Sequence, residues 1–341
     1  MKISEKISGK IIKIVANFYY VQDIKTSITW ECFARARLLK EGKHLLVGDL
    51  VEIECTSAVQ GVIVDSYDRR NKITKPPIAN LDQALIVFST KNPDFDFYNL
   101  DRYLSFVRYE LQKEEIAICI NKIDLQEMNI DEVYKNSGYK IFYVSALNKN
   151  GLDDLGRWLQ NNTTVLTGPS GVGKSSLIKA LSPESNVLIG DLNAINRGKH
   201  ITRNVQLIPV KVGNTLGLVA DTPGFSQISF AGAEPYKTLS TFNEFNNINC
   251  VYSNCLHNGE EGCIFNEADS CTRLESYRKI LSEVTSEIKY DTKEESKAKS
   301  MGETSRGKEK YLPKIDRKSR AKSRRNEKQK LGYDEEFKNQ N

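Results

Sequence analysis

The chain has no run of about 18 uninterrupted apolar residues, so nothing in it reads as a membrane-spanning helix. Its first residues, Met1-Lys2-Ile3-Ser4-Glu5-Lys6, lack the apolar stretch and small-residue cleavage site of a secretory leader. A cytoplasmic protein without a membrane partner is the expectation. Histidine is scarce, with three in 341 residues. The seven cysteines are odd in number, and four crowd into one short window, which argues against a disulfide framework. Cys32, Cys55 and Cys119 lie in apolar, strand-like surroundings and are expected to be small buried residues. No internal repeat is visible.

What is present is length and unevenly placed charge. A chain of 341 residues, 39% apolar and 27% charged, fits a soluble protein with more than one hydrophobic core. The net charge is +5, but residues 306–330 hold 12 lysines and arginines against three acidic groups, a local +9 that leaves −4 elsewhere. Such a block stays solvated, or it meets a polyanion such as RNA.

Four regions follow from the patterning, in a multidomain fold. Residues 1–72 read as five short strands, at 9–15, 18–21, 29–34, 50–54 and 61–64, separated by polar or Gly-containing turns. That is the size of an OB-fold barrel, which either binds RNA or only packs against its neighbour. Asn71 to Pro77 reads as a linker because adjacent prolines block helix and ladder bonding. Residues 76–230 alternate apolar strands with helices, the pattern of a parallel, doubly wound α/β sheet whose ligand lies outside the carboxyl ends of the strands. Residues 231–295 hold the cysteine cluster and a helix-like run from Arg273 to Ile288. Residues 296–341 form a basic tail expected to be disordered.

After the strand ending at Leu166, Gly168-Pro169-Ser170-Gly171-Val172-Gly173-Lys174-Ser175-Ser176 satisfies the phosphate-loop pattern G-x-x-x-x-G-K-[ST]. Its glycines let consecutive N–H groups curl round an anion, while Lys174 neutralises the β and γ phosphates and Ser175 ligates Mg²⁺. The base is chosen upstream. Asn121-Lys122-Ile123-Asp124 follows an apolar strand, and the Asp124 carboxylate matches the N1–H and N2–H₂ donors of guanine, which adenine lacks. Asn121 is expected to address N7 and O6, and Lys122 to lie along the ring. Ser145-Ala146-Leu147 offers the Ala146 N–H to guanine O6. In the usual GTP-binding domain the phosphate loop precedes N-K-x-D; here it follows, so the domain is circularly permuted.

Asp221-Thr222-Pro223-Gly224 supplies a Mg²⁺-side aspartate and, at Gly224, a γ-phosphate-sensing N–H. Between cradle and sensor, residues 191–203 suit a switch, with Thr202 or a neighbour closing over Mg²⁺. Phe225 stands where a water-orienting glutamine is common, which predicts slow intrinsic hydrolysis. His200 is the proposed water-positioning group, against a structural or RNA-facing role. Further on, Cys250, Cys255, His257 and Cys263 match the Cys₃His set of a closed structural zinc site, with Cys271 outside the spacing. Only about 25 residues separate Gly224 from Cys250, so nucleotide state could act on this module directly.

Together these residues resemble the RsgA (YjeQ)-type small ribosomal subunit biogenesis GTPases, from about residue 8 to 290. The resemblance implies an OB-fold, a permuted GTPase domain and a Cys₃His zinc domain. It also implies binding to the 30S subunit late in assembly, with subunit-stimulated hydrolysis of GTP to GDP, by a monomer. The family's His-Thr-Thr stretch reads His200-Ile201-Thr202 here. The alternative is a nucleotide-gated RNA-binding adaptor with little turnover, a reading that Phe225 keeps open.

Overall fold

The computed structural model describes residues 6–40, 44–57, 59–74, 76–182, 205–212, 215–221, 228–230, 232–246, 248, 250–265, 271–295, 299–303 and 309–312. The chain divides into two compact units, residues 1–281 and 282–341.

The first unit opens with five strands, β1 (Lys6–Val15), β2 (Phe18–Asp23), β3 (Thr29–Ala34), β4 (Leu50–Cys55) and β5 (Gln60–Ser66). They close in the order β1-β2-β3-β5-β4 and back to β1, so the expected small barrel is present. Closure depends on the length of β1, whose residues 6–10 pair with β4 and whose residues 9–15 pair with β2 across an irregularity between Ile11 and Lys13. Alternate residues point inward, and Ile11, Val21, Trp30, Cys32, Val51, Ile53 and Ile63 fill the core.

The segment expected to be a linker is a short hairpin. Strands β6 (Lys72–Ile73) and β7 (Ile78–Ala79) pair across the two prolines, and Ile73 and Ile78 are fully buried. The junction is tied to the barrel as well, since Ala79 N donates to Val47 O and Asn80 Nδ2 donates to Gly48 O. Burial of two isoleucines outweighs the local tendency of Pro-Pro to stay extended and solvated.

Beyond it run β8 (Gln83–Ser89), helix α1 (Phe97–Glu110), β9 (Glu115–Asn121), β10 (Lys140–Tyr143), α2 (Leu152–Leu159), β11 (Thr163–Thr167), α3 (Lys174–Leu181), β12 (Gln206–Val212) and β13 (Thr215–Asp221). The sheet order is β10-β9-β8-β11-β13-β12, parallel through β13. Every residue of β8 and β11 is buried, as strands between two helical layers require, including the polar Gln83 and Thr164, which bond to each other. Ala84, Ile86 and Phe88 share one core with Leu100, Tyr103, Leu104 and Val107 of α1. Leu85 and Val87 share the opposite core with Trp158 of α2 and with Leu177 and Ile178 of α3.

One strand was not anticipated. β12 runs antiparallel to β13, and its first residue, Gln206, pairs with Lys13 of β1, which joins the α/β sheet to the barrel. Pro209 hid it. A proline cannot donate to a ladder, and here it sits beyond the single pair with β1, where no donor is needed on the outer side.

Residues 228–246 lie along α1 rather than away from it. Arg102 Nη2 donates to Ile228 O at 3.3 Å, the Phe106 and Phe230 rings meet edge-on, and the Ser105 and Thr241 hydroxyls are 2.8 Å apart. The short helix Pro235–Leu239 puts the Lys237 ammonium 4.4 Å from the Tyr109 ring centroid. A long helix, Thr272–Glu295, follows the cysteine cluster. In the second unit, β14 (Lys299–Glu303) pairs antiparallel with β15 (Glu309–Leu312).

Candidate active site and metal centre

The carboxyl ends of β9, β10 and β11 bring the sequence motifs to one edge of the sheet. β11 delivers Gly168 and α3 begins at Lys174, so the loop between them caps a strand and opens a helix as a phosphate cradle requires. Two glycines are obligatory. At Gly168 (φ 141°) a Cβ would fall 2.1 Å from Val87 O, and at Gly173 (φ 95°) it would fall 2.4 Å from Asn121 Nδ2. Lys174 Nζ turns back over the loop and donates to the carbonyls of Gly168 and Pro169 at 2.8 and 2.7 Å. Ser175 and Ser176 are exposed in the first helical turn.

Asn121, the last residue of β9, is 1% exposed and holds the site together. Its Nδ2 donates to Val172 O in the phosphate loop at 2.9 Å, and its Oδ1 accepts from Ala146 N at 3.1 Å. One side chain thus fastens the cradle to the Ser145-Ala146-Leu147 loop, two bonds worth about 1 kcal/mol each. The carboxamide expected to address the base therefore has a structural duty, and the Ala146 N–H expected at guanine O6 is aimed at Asn121. Sequence spacing gave no hint of this clip, because it depends on side-chain geometry across 51 positions.

Lys122 adopts a left-handed backbone (φ 63°) and donates to Gly171 O at 2.8 Å and to Asn92 O. Asp124 is exposed, and its Oδ1 accepts from Ser145 Oγ at 2.5 Å. Ser145 Oγ accepts in turn from Asn148 N, so the base-reading carboxylate is oriented by a hydroxyl that is itself fixed. Asp221 ends β13, where its backbone pairs with Leu166 of β11, one position before the strand's end. His200, Thr202, Thr222, Pro223, Gly224 and Phe225 lie outside the described residues.

The second cluster is compact. The Sγ atoms of Cys250, Cys255 and Cys263 lie 3.5, 3.6 and 3.6 Å from His257 Nδ1, and Cys250 Sγ is 4.0 Å from Cys263 Sγ. A tetrahedron with metal–sulfur bonds of about 2.3 Å and metal–nitrogen bonds of about 2.05 Å demands about 3.6 Å between S and N and about 3.8 Å between S atoms. The four atoms fit a tetrahedral metal site. Backbone N–H groups of His257 and Ile264 point at Cys255 Sγ and Cys250 Sγ, a typical outer shell for thiolates. Burial pushes the Cys255 thiol up to about 12, so a thiolate there needs a cation beside it. Cys271 is exposed and outside the cluster, while Cys32 and Cys119 are buried as expected.

A buried ionic network escaped sequence reading altogether. Arg273, at the start of the long helix, donates from Nη1 to Asp101 of α1 and from Nε to Glu244 Oε1 at 2.6 Å. Its guanidinium lies over the rings of Tyr134 and Phe242 at 4.9 and 4.6 Å.

The descriptions RsgA N-terminal domain and RsgA GTPase match residues 8–63 and 66–231. The small ribosomal subunit biogenesis GTPase RsgA of Geobacillus kaustophilus is 39% identical over 280 residues, 79% of this chain and 93% of that protein. Its namesake in Caldanaerobacter subterraneus is 36% identical over 271 residues, 77% of this chain and 89% of that one. Among solved structures, YjeQ from Thermotoga maritima aligns with a TM-score of 0.67 at 30% identity, over 82% of this chain and 99% of that one. YloQ, a circularly permuted GTPase, aligns with a TM-score of 0.67 at 31% identity, over 84% and 98%. With its phosphate loop downstream of its base reader and both carried on one sheet edge, the chain belongs to the RsgA family of circularly permuted GTPases.

Proposed function

We propose that this GTPase works on the small ribosomal subunit, binding its rRNA during late assembly and hydrolysing GTP to GDP and phosphate under stimulation by the subunit. The observation that carries the reading is the Asn121 clip, which presents a guanine reader and a phosphate cradle as one rigid site. Relatives that carry the name small ribosomal subunit biogenesis GTPase support the choice of partner. So do the barrel, whose exposed Phe18 and Phe33 rings stand 4.6 Å apart like a base-stacking platform, and the basic segment 306–330.

Within the site, Asp124 pairs with guanine N1–H and N2–H₂ while the stem of Lys122 covers the ring. The phosphate-loop N–H groups and Lys174 would hold the phosphates, Ser175 and Thr202 would ligate a Mg²⁺ ion assisted by Asp221, the ion would neutralise phosphate charge, and Gly224 would sense the γ-phosphate. His200 positions the attacking water, a duty that Phe225 cannot perform. Zinc occupies the Cys₃His tetrahedron and has a structural role, since four protein ligands leave no open position. The protein acts in the cytoplasm as a monomer. Sedimentation with purified 30S particles tests the partner: co-migration is expected with a non-hydrolysable GTP analogue and reduced with GDP. Absence from the 30S fraction with both nucleotides would overturn it.

A further inference from the structure

The segment Ser89 to Pro93, between β8 and α1, belongs to no nucleotide motif, yet it touches both halves of the site. Ser89 and Thr90 are polar, but they are only 1% and 2% exposed. Ser89 Oγ donates to Pro93 O at 2.8 Å and closes the segment on itself. Thr90 reaches outward. Its N–H donates to Asn121 O at 3.1 Å, the last rung between β8 and β9, and its Oγ1 donates to Lys122 O at 2.7 Å.

Lys122 is where such a hold is needed. A φ of 63° is disfavoured for a residue with a Cβ, and it persists only where the surroundings over-determine it. The turn there takes the chain out of β9, with Asn121 facing Val172 and Ala146 on one side of it and Asp124 meeting Ser145 on the other. The Lys122 carbonyl accepts from Leu125 N at 2.9 Å, which closes the turn, and from the Thr90 hydroxyl, which ties the turn to β8. The ammonium comes back to the same segment, donating to Asn92 O as well as to Gly171 O. Lys122 is thus fastened to this segment at both ends, its backbone by Thr90 and its side chain by Asn92.

We propose that Thr90 is a positioning residue for guanine recognition: it pins the left-handed turn at Lys122 and, through that turn, the angle at which Asp124 meets the base. The proposal rests on the reading of Asn121 to Asp124 as the base reader. A carboxylate that accepts from both N1–H and the 2-amino group tolerates less angular error than one that accepts a single bond. Slack in the turn therefore costs guanine more than hypoxanthine, which has the N1–H but no 2-amino group.

Thr90→Val keeps the volume and the β-branch and removes the donor, whereas Thr90→Ser keeps the donor and loses a methyl group. The measurements are displacement of fluorescent GDP by GTP, ITP and ATP, and the thermal midpoint, all on the full chain. The expected result for Thr90→Val is a GTP affinity about tenfold lower and a preference for GTP over ITP narrowed about threefold, with Thr90→Ser within about twofold of the parent in both. Thr90→Ala takes its place if the Val variant does not fold. An unchanged GTP-to-ITP ratio in the variant without the donor overturns the proposal, whether the affinities hold or fall alike with a lower midpoint. So does a Thr90→Ser variant that behaves like Thr90→Val. A parent chain that does not prefer GTP over ATP overturns the underlying reading, and the proposal with it.

Discussion

Arg273 and Asp101, 172 positions apart in the chain, form an ion pair in which the guanidinium is 4% exposed and the carboxylate 0%. Tyr134 donates its hydroxyl to the same carboxylate at 2.7 Å. Burial opposes the charge on Arg273, but Asp101 and Glu244 hold the guanidinium above its ordinary range. Desolvating two ions costs several kcal/mol, so such a pair fixes a geometry more than it adds stability. What it fixes is the start of the helix after the cysteine cluster, held at Arg273 against Asp101 of α1.

Removing one partner should therefore be costly and removing both less so. Asp101→Ala is predicted to lower the unfolding free energy by about 3 kcal/mol, because Arg273 keeps only Glu244 as a buried partner and the Tyr134 hydroxyl loses its acceptor. The double change Asp101→Leu with Arg273→Met should cost less than the single changes summed. Urea titrations of the four proteins check this.

Base choice should follow Asp124. In Asp124→Asn the amide oxygen can still accept from N1–H, but the amide N–H₂ faces the guanine 2-amino group, donor against donor, and GTP affinity is predicted to fall by about two orders of magnitude. Xanthosine triphosphate, which carries a carbonyl where guanine carries the 2-amino group, should then bind better than GTP. Competition against a fluorescent nucleotide checks the order of the two.

Much of this site is legible in the sequence because it is local. Gly168 to Ser176 and Asn121 to Asp124 are short motifs at strand ends, and the spacing of Cys250, Cys255, His257 and Cys263 is local too. The five barrel strands show through because inward and outward residues alternate. What stayed hidden needs three dimensions: the double duty of Asn121, the Asp101–Arg273 pair, and the hold of Thr90 on Lys122. Strand β12 stayed hidden for a different reason, since the proline at its centre argues against a strand unless the edge position is already known. Likewise Ile73 and Ile78 look like linker residues until the core that buries them is seen.

The metal site separates its ligands from its bystander. Cys255→Ser is predicted to lower the metal content measured by elemental analysis and the thermal midpoint, because the remaining ligands no longer complete the tetrahedron. Cys271→Ser, which lies outside the cluster, should leave the metal content and the midpoint unchanged.

One site, assembled by Asn121 from motifs in rotated order, is proposed to hydrolyse GTP in response to the small subunit. The most direct measurement is the rate of phosphate release from GTP with and without purified 30S particles, with Lys174→Ala as control. Slow release is expected from the protein alone, at least about tenfold faster release with the particles, and near-background release from Lys174→Ala in both cases. A rate that the particles leave unchanged would contradict it.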